Sequence, residues 1–158
     1  MGVLLGFSYP KKFKIGAWLI AKWMGKPYSH VYLKFESNRI PNTIYHASHG
    51  MVHFMTEKNF LKDNNIIKEV RLPSDEIGRL VVLTHAMEIS GIKYGYSELF
   101  KIVLTDICTY LNCPIFKTYN GTGYICSELL GEILEDLYNI KWNKPKHLLK
   151  PSEIEEVL

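Results

Sequence analysis

Residues 123–130 read Gly123-Tyr124-Ile125-Cys126-Ser127-Glu128-Leu129-Leu130, where a glycine-containing loop leads into an amphipathic helix. The helix is predicted from apolar residues at spacings of one, three and four, which form one stripe: Leu129, Leu130, Ile133, Leu134, Leu137 and Ile140. Cys126 would then lie at a helix start, where backbone N–H groups and the helix dipole favour the thiolate over the thiol. This position predicts a nucleophilic cysteine. The alternative is a small buried residue in an apolar segment.

Length and composition predict one globular domain over residues 1–158. Hydrophobic residues make up 47% and charged residues 22%, enough apolar sequence to build a core without metal or disulfides. The net charge of +3 is too small to indicate nucleic acid as a partner. Three cysteines and an apolar start too short for a signal peptide predict a cytoplasmic protein with reduced thiols. Lys22 and Lys26 interrupt the only long apolar stretch, so no membrane-spanning segment is expected.

The histidines lie on segments whose apolar residues alternate with period two, as in β-strands. In residues 28–35 this alternation turns His30 away from the most apolar face. Two further strands are joined by a turn at residues 48–50, and a two-residue loop would place His46 opposite His53. His46 then lies on the strand next to His30 and can donate to, or accept from, its imidazole. Catalysis by cysteine requires such a base and a third group that orients it.

The remaining pattern predicts an α+β fold. A helix over residues 13–24 precedes the histidine strands, and a strand over residues 66–72 follows them to close a small, mainly antiparallel sheet packed against helices. We expect the first helix to pack Trp18 and Trp23 inward. The lysines around it leave contact with a membrane surface as a less favoured alternative.

A metal site is the rival interpretation of the histidines. His46, His49 and His53 offer imidazole ligands, and one of the three cysteines would supply a fourth. The spacings match no established zinc motif, and a hairpin places His49 at the far end from the other two. We therefore expect neither metal nor cofactor.

Four segments carry the histidines and the cysteine in a distinctive order. They are Tyr28-Ser29-His30-Val31-Tyr32-Leu33, Ile44-Tyr45-His46-Ala47 running into Gly50-Met51-Val52-His53, Tyr124-Ile125-Cys126-Ser127-Glu128-Leu129-Leu130, and Lys150-Pro151-Ser152-Glu153-Ile154. Together they resemble the circularly permuted NlpC-type papain-fold hydrolases, most closely the YiiX-like branch and more distantly the lecithin:retinol acyltransferase-like enzymes. The order of histidine before cysteine is the mark of the permuted group.

This resemblance implies a permuted papain-like fold with Cys126 as nucleophile, His30 as base and His46 as the third polar residue. The YiiX-like branch commonly has a glutamate at the place of His46, whereas the acyltransferase-like relatives carry a histidine there. The expected activity is that of a cysteine hydrolase, which cleaves an amide bond of peptide or cell-wall type through an acyl-enzyme.

Two further expectations concern the substrate. Tyr28, Tyr124 and His53 are candidate substrate-binding residues, and the partner would be a peptide-like or lipid-like acyl compound. The alternative functions are a lipid acyltransferase or thioesterase at a membrane surface, or a catalytically inactive binding module with the same fold.

Overall fold

A computed structural model describes residues 2–48, 50–95 and 125–158. The strands are β1 (Val3–Pro10), β2 (His30–Phe35), β3 (Thr43–Ser48), β4 (Met51–Thr56) and β5 (Asn64–Arg71). The helices are α1 (Ile15–Met24), α2 (Glu57–Asp63), α3 (Glu76–Glu88), α4 (Cys126–Tyr138), a short 3-10 helix (Lys146–Leu148) and α5 (Pro151–Glu156). The protein is therefore α+β, as predicted.

The strands form one five-stranded sheet in the order β4-β3-β2-β1-β5, and every neighbouring pair is antiparallel. The sequence prediction missed β1, which lies between β2 and β5, and it missed α2. β5 consequently pairs with β1. Val3, Leu5 and Phe7 of β1 are fully buried, so this strand belongs to the centre of the core.

The β3–β4 hairpin confirms the predicted register. Ser48 pairs with Met51 across a two-residue loop, and His46 pairs with His53. Gly50 has a φ of 90°, a left-handed conformation that glycine adopts without steric cost. Loop length and period therefore place both imidazoles on one face of the sheet, as expected.

Both faces of the sheet are covered. One carries the main core, in which Val31, Leu33 and Tyr45 pack with α4 residues such as Leu129 and Ile133. The other carries a smaller cluster of Tyr32, Ile44 and Phe60, the last supplied by α2. In the described ranges no helix is long and apolar enough to cross a membrane.

Helix α1 corrects one expectation. It ends where predicted, at Gly25, whose φ of 65° closes the helix. Trp18 does not pack inward: its surface is 45% exposed, and Ala21 is the buried residue of the helix. Apolar residues occupy both sides of α1, so their spacing alone could not say which side faces the core.

Candidate cysteine–histidine site

Cys126 is the first residue of α4, as its sequence position predicted. The residue before it, Ile125, is extended, and its apolar side chain makes no capping hydrogen bond. The buried Ser127 hydroxyl donates a hydrogen bond of 2.6 Å to the carbonyl oxygen of Leu149, just before α5. This bond fixes the helix start, and with it the cysteine, against the C-terminal segment.

The ionisation of Cys126 differs from the sequence prediction. Burial raises the pKa of its thiol, because only 5% of the residue is exposed and the thiolate loses its hydration. Backbone N–H groups of Val31, Ser127 and Cys126 itself contact the sulfur and act in the opposite direction, but desolvation is the larger effect. The helix start therefore does not hold a thiolate unaided. The resting form is the thiol, and a base must remove its proton.

The start of β2 lies against the sulfur. The Val31 N–H contacts the Cys126 thiol, and Val31 directly follows His30, the first residue of the strand. The Val31 side chain enters the main core, so the His30 side chain leaves the strand toward the opposite face. His30 and His46 thus share the sheet face that carries Phe60, whereas Cys126 belongs to the main core on the other face. The expected hydrogen bond between the sulfur and the His30 ring stays a prediction, and it requires the His30 ring to turn around the start of β2.

His30 and His46 are in contact, as predicted. Nε2 of His30 lies 3.0 Å from Nδ1 of His46. Nε2 of His46 lies 3.2 Å from the hydroxyl oxygen of Ser48 on the same strand. Both ring nitrogens of His46 thus have polar neighbours, which is what an orienting residue requires.

Aromatic packing holds the His46 ring in place. His46 is buried, and its ring centroid lies 5.3 Å from that of Phe60 in an edge-on arrangement. The His53 ring also packs against the His46 ring, with the two ring centroids 4.8 Å apart. Helix α2 therefore serves the site by supplying Phe60, a contribution that the sequence did not reveal.

A small depression opens beside Cys126. Its walls come from α1, from the residue before β2 and from the start of α5, and they include Ile20, Trp23, Ser29, Lys150 and Pro151. The Lys150 ammonium nitrogen lies 4.4 Å from the Trp23 ring centroid, a cation–π distance that joins two of these walls. No sequence pattern predicted a role for these residues, because they come from three distant segments with no shared period.

Tyr28 and His53, two of the three predicted substrate-binding residues, do not line this depression. Tyr28 is buried, packs on Phe7, and donates a 2.6 Å hydrogen bond to Glu155, so its role is structural. His53 lies on the hairpin, with Nδ1 3.3 Å from the Met51 carbonyl oxygen. The His53 ring lies beside that of His46. Tyr124 lies outside the described residues.

The described residues bring no metal-ligand cluster together at His46 and His53. His49, Cys108 and Cys113 of the rival metal set lie outside the described ranges. A different group, His85 of α3 with Glu132 and Asp136 of α4, places its potential ligand atoms within 4.8 Å of one another. It is separate from Cys126 and its histidines.

Comparison with known proteins adds no assignment. No family model matches the chain, and no curated protein matches it.

Proposed function

We propose that the protein is a cysteine hydrolase of permuted papain-like fold, whose Cys126 attacks an amide carbonyl. One observation carries the proposal. The cysteine starts a helix packed against the sheet, and its sulfur contacts the strand residue next to His30. The contact between His30 and His46 adds the third member that such a site needs.

The hydrogen-bond pattern supports a particular proton arrangement. If His46 donates from Nε2 to the Ser48 oxygen, its Nδ1 is an acceptor and His30 donates from Nε2. The Nδ1 atom of His30 then carries the lone pair that can accept a proton. His30 is the base in this assignment, and His46 fixes its tautomer and orientation.

The proposed reaction proceeds in two steps. His30 takes the thiol proton as the sulfur bonds to the carbonyl carbon, and it gives this proton to the leaving nitrogen as the amide bond breaks. Water, deprotonated by His30, then attacks the thioester carbonyl carbon. The C–S bond breaks, the acid is released, and His30 returns the proton to the sulfur to restore the thiol. The backbone N–H of Cys126, at the helix start, is the proposed donor to the oxyanion.

The raised pKa of the thiol gives His30 a larger part in this mechanism. A preformed thiolate would need only an orienting partner, whereas a buried thiol needs a base at the moment of attack. A substrate that displaces water from the depression would prevent the Cys126 proton from passing to solvent instead of to His30.

A lipid acyltransferase or thioesterase is the second candidate. The observation that favours it is the position of α1, because Ile20 and Trp23 line the depression beside Cys126 while the neighbouring Trp18 and Leu19 are exposed. An acyl chain held near α1 would bring an ester or thioester carbonyl to the same sulfur. The chemistry at Cys126 would be unchanged.

Capture of the acyl-enzyme tests the proposal and separates the two candidates. The protein would be mixed with peptide amides, cell-wall-type peptides, phospholipids and acyl thioesters, quenched in acid and analysed by peptide mass spectrometry. We expect one acyl group on Cys126, with none on the Cys126→Ala variant. The donor that labels it identifies the substrate class. Failure of every donor to label a Cys126 that iodoacetamide still alkylates would contradict the hydrolase and favour a binding module.

A further inference from the structure

Two helices of the described structure expose an apolar stripe: α1, and α3 at Ile77, Leu80 and Val81. They differ in charge, since α3 carries the exposed Glu76 and Glu88 whereas lysines border the stripe of α1. Ile15, Trp18 and Leu19 are spaced as i, i+3 and i+4, and they are 68%, 45% and 52% exposed. At 100° per residue they share one side of the helix, opposite Ala17 and Ala21. Phe13, just before the helix, is 74% exposed. The outward stripe of α1 is therefore apolar, where a helix on a protein surface is normally polar.

Lysines surround this stripe. Lys12, Lys14 and Lys22 are exposed, and Lys22 follows Ile15 by seven residues, so it lies on the outward side itself. Within the described part of the chain none of the three takes part in an ion pair. An apolar stripe with cations at its edges is complementary to a surface that is apolar inside and anionic outside.

We propose that α1 docks the protein on an anionic membrane surface, with Phe13, Ile15, Trp18 and Leu19 inserted between headgroups. Ten residues rise about 15 Å, half the hydrocarbon thickness, so the helix lies in the plane of the interface. The lysines face the anionic headgroups, each adding to the attraction.

A second copy of the chain is a poorer occupant. A stable protein interface needs roughly 20–30 residues a side, far more than four apolar side chains supply. A symmetric pair would also bring the lysines of one copy against those of the other. The membrane proposal does not depend on the chemistry at Cys126, and it would hold for an inactive binding module as well.

Vesicle flotation tests the proposal. The full chain would be mixed with vesicles of phosphatidylcholine alone or with phosphatidylserine, and bound protein would be quantified after centrifugation. We expect binding to the anionic vesicles that weakens with salt, and tryptophan emission that shifts to the blue. Trp18→Ser and Leu19→Ser should each lower the partition coefficient by about tenfold or more.

Matched controls identify the surface responsible. Ile77 of α3 is 73% exposed, so Ile77→Ser removes an equally exposed apolar side chain elsewhere and should leave binding unchanged. Lys22→Glu should weaken binding to anionic vesicles, whereas Lys58→Glu on α2 should have little effect. Absence of vesicle binding, or equal losses for Leu19→Ser and Ile77→Ser, would overturn the proposal. A concentration-dependent dimer in sedimentation velocity that is lost in Leu19→Ser would also overturn it.

Discussion

Glu155 of α5 fastens the C-terminal segment to the rest of the fold. Its Oε2 atom accepts from Lys26 at 2.7 Å and from Tyr28 at 2.6 Å, and its Oε1 accepts from Lys68 at 2.8 Å. These contacts connect α5 to the segment before β2 and to β5. Because α5 begins at Pro151, beside Cys126, the carboxylate also helps to position one wall of the depression.

The strength of this connection follows from the pKa. Hydrogen bonds from Lys26, then Lys68 and Tyr28, lower the pKa of Glu155 from 4.5 to about 2. Such a shift corresponds to roughly 3 kcal/mol of stability at neutral pH. The Lys68 side chain is 47% exposed, so solvent screens part of this energy, and we expect Glu155→Gln to cost about 1–2 kcal/mol.

The pH dependence has a defined sign. A carboxyl with a lowered pKa in the folded state stabilises the fold above pH 4.5, and this contribution is lost as the pH falls toward 2. Urea unfolding of wild type and Glu155→Gln should therefore differ at pH 7 and converge near pH 2. Glu156→Gln is the matched control, since the next carboxylate is exposed, and it should behave as wild type. An equal loss of stability in both variants, or a Glu155→Gln deficit that persists at pH 2, would refute the reasoning.

Three further predictions concern the site. His46→Phe keeps a packed ring but removes both nitrogens, so the free energy of unfolding should fall by about 1–2 kcal/mol and alkylation of Cys126 at pH 7 should slow about tenfold or more. An unchanged rate in iodoacetamide kinetics would remove His46 from the site. Ser127→Ala leaves the buried Leu149 carbonyl without its hydroxyl donor and should cost about 1–3 kcal/mol in urea unfolding, whereas a cost under about 0.5 kcal/mol would contradict the anchoring role. A chelator should not change the rate of Cys126 alkylation, because the two His46 nitrogens face His30 and Ser48. One zinc per chain, removed by the chelator with a loss of folding stability, would contradict this prediction.

The sequence was most informative where short-range geometry decides the structure. The period-two pattern and the two-residue turn were sufficient to pair His46 with His53. Likewise, the apolar stripe placed the helix start at Cys126. The same stripe did not mark the end of the helix, because Ile140 packs on the core from beyond it. The helix ends at Tyr138, and the next residue, Asn139, has a φ of 54°.

Long-range packing was beyond the reach of the sequence. β1 is buried on both sides and begins with three consecutive apolar residues, Val3, Leu4 and Leu5, so it showed no clean alternation. Its Gly6 lies under the Tyr32 side chain, with which an added Cβ would clash, and no local sequence pattern indicates such a contact. The sequence prediction that the helix start favours the Cys126 thiolate was wrong for the same reason. Burial raises the pKa of the thiol, and burial depends on which elements cover the helix start.

The central claim is that His30 deprotonates Cys126, and the pH dependence of Cys126 alkylation tests it most directly. Rates would be measured with iodoacetamide from about pH 5 to 10, with the labelled residue mapped by mass spectrometry. A buried thiol without a base should react appreciably only above its ordinary pKa of about 8.5, whereas a neutral His30 that takes the thiol proton should add a rise at lower pH. Wild type and the His147→Ala control should show this rise, and His30→Ala should keep only the alkaline limb. Superimposable profiles for wild type and His30→Ala would contradict the assignment of His30 as the base.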